Sequence, residues 1–204
     1  MREKLYIPYP VIVEGKYDKI RLDSVMVGQI IPTDGFSLFN SEQKPKLMRR
    51  LAEKSRIIVL TDSDGAGKLI RSKIASFIPK DRLIQLYIPK IEGKEKRKQK
   101  ASAEGTLGVE GMENDVLYDI LAPYAVGADG DVANAERARA VYFDNPLSMT
   151  DFFVDGLSGG ENSRAKRDEF ALSLGLPTGM TAGALLAATK LLLTYEEYLK
   201  KMGR

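Results

Sequence analysis

Between Pro10 and Ile88 the chain switches repeatedly between two hydrophobic periods, and this alternation limits its fold more than any other feature. Short apolar runs at Pro10–Val13, Gly28–Pro32, Arg56–Leu60 and Leu83–Ile88 have the composition of strands. The turn signals Glu14-Gly15, Thr33-Asp34-Gly35 and Thr61-Asp-Ser-Asp-Gly65, and Pro89, close them. Between the runs lie stretches with helical spacing: Asp18–Ser24, Ser41–Lys54 with Leu47, Leu51 and Ala52 on one side, and Lys68–Phe77 before Pro79. Strands alternating with helices at this spacing predict an α/β layer around a mostly parallel central sheet flanked by helices. Ligands of such sheets sit at the carboxyl ends of the strands, where Glu14 and Asp62 both fall.

The composition changes after Pro89. Lys90–Lys100 carries six basic residues in eleven and leads into the small-residue stretch Ala101–Gly108. Glu110–Leu121 has helical spacing and stops before Pro123, and Ala125–Ala140 is rich in Ala, Gly and Asp. From Leu147 onward no strand signal remains. Thr150–Asp155, Asn162–Leu174 and Thr181–Leu193 are expected as short helices, and Thr194–Lys201 as a last one with Thr194 as its N-cap. The expected organisation is an α/β domain over 1–125, a linker over 126–146 and a small all-helical domain over 147–204.

What chemistry is open follows from what is missing. The 204 residues include no cysteine, histidine or tryptophan. That excludes disulfides, thiolate zinc sites, cysteine nucleophiles and any mechanism using imidazole as a proton shuttle. Carboxylates, amines, guanidinium groups, hydroxyls and an oxygen-ligated metal remain. Against them stands a net charge of only +3, so a nucleic-acid partner must be argued from where the charge sits. No apolar run approaches the roughly 18 residues of a membrane span. The N-terminal run Leu5–Val13 is broken by Pro8 and Pro10 and followed by no small-residue cleavage site. The expectation is a cytoplasmic chain with no membrane partner.

Leu60-Thr61-Asp62-Ser63-Asp64-Gly65-Ala66-Gly67 is the informative segment. Two aspartates one residue apart, just past a buried strand, present carboxylates at one rim of the sheet. Two such charges repel by about 4 kcal/mol at 4 Å under an effective dielectric of 20. A divalent cation removes that repulsion, and all-oxygen ligation suits Mg²⁺ or Mn²⁺. The same Asp-x-Asp-Gly also describes a polar turn whose aspartates cap the next helix. Glu14, ending the first strand in Val11-Ile-Val-Glu-Gly-Lys16, adds a third acid that a parallel sheet brings to the same edge. Glu110 is a weaker ligand candidate, equally readable as a first-turn acid favoured by a helix dipole.

Strand-Glu-Gly, then strand-Asp-x-Asp-x-x-Gly, here Val13-Glu14-Gly15 and Asp62–Gly67, resembles the Toprim pattern of topoisomerases, bacterial primases, recombination mediators and certain nucleases. The resemblance extends to the ribonuclease M5 family, which matures 5S ribosomal RNA. It is carried by Ile12-Val-Glu-Gly-Lys16, Leu60-Thr-Asp-Ser-Asp64 with Lys68-Leu-Ile-Arg71, Leu107-Gly-Val-Glu110, Gly156-Leu-Ser-Gly-Gly160 and Arg164-Ala-Lys-Arg167. Met1–Pro8 stands outside it as an extra N-terminal stretch. The resemblance implies that Glu14, Asp62 and Asp64 are catalytic and hold one or two Mg²⁺ ions, with Mn²⁺ an alternative, that polarise the scissile phosphate and activate water. It also implies a structured RNA partner, precursor 5S rRNA bound to its ribosomal protein, acted on by a monomer. Other readings are a Toprim nuclease acting on DNA or another structured RNA, and a non-catalytic RNA-binding or ribosome-assembly factor.

Three sets of basic residues are expected to meet phosphate. The first is the arm Lys94, Lys96, Arg97, Lys98 and Lys100, which lacks interleaved aromatics and so suits backbone and shape recognition of helical RNA. Lys16, Lys68 and Arg71 form the second set, close to the acids in sequence. The third is Arg164, Lys166 and Arg167 after Gly159-Gly160, on a helix expected to turn Phe170, Leu172 and Leu174 inward.

Overall fold

The structure is a computed structural model that describes residues 2–33, 43–93, 105–126, 128 and 144–204. Its centre is a four-stranded parallel sheet of β2 (Val11–Val13), β4 (Ile30–Pro32), β5 (Ile57–Thr61) and β6 (Leu83–Tyr87), in the order β4-β2-β5-β6. Every residue of β2 and β5 is buried, as an unbroken apolar run covered on both faces requires. β6 lies at an edge and exposes Gln85 and Tyr87. Within the N-terminal stretch, residues 2–8 take part in the fold. Its β1 (Leu5–Tyr6) pairs in parallel with β3 (Met26–Val27) in a separate two-stranded sheet. Neither strand was legible in the sequence, because two-residue strands carry no period.

Period-2 alternation divides the strand side chains between two cores. Val11, Val13, Ile58 and Leu60 face α1 (Lys16–Leu22) and α4 (Asn114–Leu121) through Leu22, Leu117 and Leu121. Ile12, Ile57 and Val59 face α2 (Gln43–Lys54) and α3 (Gly65–Ala75) through Met48, Leu51, Ile70 and Ile74. Helices therefore cover both faces of the sheet, as the alternation predicts. The helix expected over Glu110–Leu121 begins instead at Asn114, after a 3-10 turn at Val109–Gly111.

After the connector, most of which lies outside the described residues, the chain is helical: α5 (Met149–Val154), α6 (Ser163–Ser173), α7 (Ala182–Leu192) and α8 (Tyr195–Met202). Thr194 caps α8 with its hydroxyl on the Glu197 N–H, completing a capping box. Phe152, Phe170 and Tyr198 form an aromatic cluster with ring centroids 5.9–6.3 Å apart. The buried Tyr198 hydroxyl donates to Asp155, 2.6 Å away. These helices share a core with one face of the sheet layer: Phe152, Phe170, Leu185 and Tyr198 belong to the same cluster as Ile12, Met48 and Ile57. Polar ties reinforce it, with Arg50 donating to the Leu174 carbonyl at 2.9 Å and Lys54 to the Leu192 carbonyl. Leu172, expected inward, is 62% exposed, while Phe170 and Leu174 are buried.

Candidate metal centre

The parallel register builds the site. Val11 pairs with Ile58 and Ile12 with Val59, so β2 and β5 end together and deliver Glu14 and Asp62 to one edge of the sheet. Both acids are half-buried. Glu14 interacts with its surroundings, and its backbone carbonyl accepts from the buried Thr33 hydroxyl at 3.0 Å. Its Oε2 atom is buried and accepts no hydrogen bond from the described residues.

Asp62 and Asp64 have different duties. The Oδ1 of Asp62 accepts the Val109 N–H at 2.7 Å, which joins β5 to the 3-10 turn 47 residues later. Asp64 is the N-cap of α3, its Oδ1 accepting the Gly67 N–H at 2.8 Å. The capping role open from the sequence thus applies to Asp64, and not to Asp62. Between them, Ser63 donates to the Ile88 carbonyl at 2.9 Å and pins the loop to the end of β6. Gly67 is required by close approach, since a Cβ there would strike the Asp62 carbonyl group, 2.9 Å from its carbon.

Asp18 joins the acids, and the sequence reading did not single it out. It is 8% exposed on the first turn of α1, and its Oδ2 accepts the Gly15 N–H at 2.9 Å. Burial pushes its pKa up to about 6, and the charges of Asp62 and Glu110 add to the rise. The backbone N–H groups of Gly15 and Glu110 oppose it. Glu110 therefore lies within electrostatic reach of Asp18, in the 3-10 turn and not on a helix. The available signal is Gly15-x-x-Asp18, the spacing at which an acid in the first turn accepts the N–H of the residue that opens the helix.

Among the described residues no three acidic side chains stand close enough together to ligate one ion. Their chemistry nevertheless fits a hard divalent cation. The donors are all carboxylate oxygens, and the charges of Asp62 and Glu110 add to the burial that raises Asp18. A bound cation would offset the part of that rise due to charge.

The basic residues divide sharply. Lys16 and Lys68 are exposed near the acids, Lys16 with its ammonium 4.9 Å from the Tyr17 ring centroid. Arg71, expected to clamp phosphate, is instead 5% exposed. It donates to the Thr61 carbonyl at 2.9 Å and the Leu86 carbonyl at 2.6 Å, and lies over the Tyr87 ring. Burial lowers its pKa, opposed by Tyr87 and by the charge of Asp62. Arg71 is a pin between the ends of β5 and β6, because a guanidinium fork can satisfy several carbonyls at once. Arg71→Ala should cost about 2 kcal/mol in urea unfolding, from two carbonyls left without their donor. An unchanged midpoint would contradict this role.

Arg164 and Lys166 are exposed on α6. Arg167 is turned inward, its guanidinium donating to the Leu157 carbonyl at 2.9 Å and to Ser163 Oγ at 3.1 Å. These bonds tie it to the glycine loop. Lys94, Lys96, Arg97, Lys98 and Lys100 lie outside the described residues. No described helix is long and apolar enough to cross a membrane.

Residues 10–98 match the Toprim domain family, spanning β2 through β6 and both acidic motifs. This match covers less than half of the chain, and the four-stranded parallel sheet lies within it. The chain is also similar to proteins named ribonuclease M5. The Clostridium botulinum protein of that name is 26% identical over 191 residues, covering 93% of this chain and 92% of that protein. Those of Mesoplasma florum and Borreliella burgdorferi are each 35% identical, over 71 and 75 residues. The chain spans about two-fifths of the length of these last two, 41% and 40% respectively.

Proposed function

We propose that this protein is a divalent-metal-dependent endoribonuclease of the ribonuclease M5 type, cleaving the double-helical stem of precursor 5S rRNA. The observation that supports it best is the shared β2/β5 register, which delivers Glu14 and Asp62 to one edge beside Asp18 and Glu110. Glu14, Asp62 and Asp64 would hold Mg²⁺, for which Mn²⁺ could substitute, with Glu110 as a further candidate ligand. When bound, the ion offsets the carboxylate repulsion and polarises the scissile phosphate. The chain's own residues do the rest. Asp64 keeps α3 in place while retaining its second oxygen, and Lys16 and Lys68 offer exposed ammonium groups for the flanking phosphates. The exposed Arg164 and Lys166 extend the basic surface, and the Lys94–Lys100 arm adds to it. The partner on this reading is the precursor with its ribosomal protein, met by a monomer in the cytoplasm.

The test is incubation with end-labelled 5S precursor, with and without its ribosomal protein, beside a DNA duplex. Mg²⁺-dependent cleavage of the RNA alone, abolished by chelation, is the expected result. Cleavage of the DNA duplex would identify a DNA nuclease instead. RNA binding with no cleavage in Mg²⁺ or Mn²⁺ would identify an assembly factor.

A further inference from the structure

Gly108 has no backbone reason to be glycine. Its φ of −86° and ψ of −176° lie in the extended region that any residue adopts. What excludes a side chain there is one neighbour. A Cβ on Gly108 would meet the Asp62 carboxylate, 2.7 Å from its Cγ and 2.8 Å from Oδ1, with Oδ2 nearer still. Gly65, the first residue of α3 after the acidic loop, has nothing within 4 Å of the corresponding position. The two residues after Gly108 also serve the acids through their backbones. Val109 donates its N–H to Asp62 at 2.7 Å, and the N–H of Glu110 is turned to Asp18.

We propose that Gly108 is a positioning residue for Asp62: the bare Gly108–Glu110 turn seats against its carboxylate and fixes the orientation in which it meets a divalent cation. The inference rests on the reading of this edge as a metal site. Gly67 closes on the Asp62 carbonyl from the other side, so Asp62 is held between two glycines, one on its backbone and one on its side chain. The turn is anchored independently of the acids. Val109 and Met112 are fully buried, and Arg21 donates to the Met112 carbonyl at 2.7 Å through Nε. A methyl at 108 cannot be relieved by moving the turn away, so the carboxylate must move.

The experiment measures Mn²⁺ affinity of the full chain by titration calorimetry and electron paramagnetic resonance. It is paired with metal-free thermal unfolding of the parent, Gly108→Ala, Asp62→Ala and the double variant. Gly108→Ala should weaken Mn²⁺ binding by about 10- to 100-fold, the range found when groups supporting a metal ligand are altered. Its metal-free unfolding midpoint should fall while Asp62 is present and not fall further once Asp62 is alanine, because the clashing atoms are gone. Should Gly108→Ala alone fail to fold, the double variant should still fold. The inference is overturned if Gly108→Ala binds Mn²⁺ like the parent, or if its effect on unfolding is the same in both backgrounds. A parent that does not bind Mn²⁺ overturns the metal reading, and this inference with it.

Discussion

Asp62→Asn is expected to lower Mg²⁺-dependent cleavage of the precursor by about a thousandfold or more while leaving the fold intact. The magnitude follows from losing a charged ligand whose cation supplies several kcal/mol to the developing phosphate charge, at 1.36 kcal/mol per tenfold. The fold survives because an asparagine oxygen can still accept the Val109 N–H that Asp62 accepts at 2.7 Å. Asp64 makes the informative comparison. Asp64→Asn keeps a good N-cap for α3 and should lose activity without losing stability, whereas Asp64→Ala should also cost about 1 kcal/mol of stability. Single-turnover cleavage and urea unfolding on the same samples separate these effects. An Asp62→Asn variant that cleaves within tenfold of the parent would remove Asp62 from the chemistry.

The second large effect concerns pH. In the metal-free protein the Asp18 carboxyl titrates near 6, against an ordinary value of 3.8. The unfolded chain therefore releases this proton first, and the folded state binds more protons between the two values. Stability must fall as pH rises through that window, by up to about 3 kcal/mol, and stay at the lower level above it. Asp18→Asn removes the titration, so urea unfolding should show the variant gaining on the parent from pH 4 to pH 7. A divalent cation among these carboxylates favours the ionised form. Mg²⁺ should accordingly stabilise the parent more at pH 7.5 than at pH 5, and flatten its pH profile. Parallel profiles for parent and variant would mean that Asp18 carries no raised pKa.

Much of this edge was legible in the sequence, for a local reason. Glu14 and the Asp62–Asp64 pair each follow a buried strand, and a strand end is readable from a run of four or five apolar residues. Asp18 and Gly108 were not legible as neighbours of these acids. One looks like the first acid of a solvated helix and the other like a loop glycine. Arg71 misled because its sequence neighbours are the acidic loop and Lys68, and sequence proximity says nothing about the side of a helix on which a residue lies. On α3 that side faces the ends of β5 and β6, and burial there converts a phosphate ligand into a carbonyl ligand.

The sequence by itself determined the class of layer, the helices on both sides of the sheet, and the chemistry left open to a chain without histidine or cysteine. Those follow from period and composition, which are properties of short segments. Only the tertiary structure decided which acids share an edge, because that depends on the register between β2 and β5 and on a turn 47 residues beyond Asp62. It also decided that the C-terminal helices complete the core on one face of the sheet. Pairing register and packing between distant segments are set by the burial of whole faces, and no local pattern of residues records them.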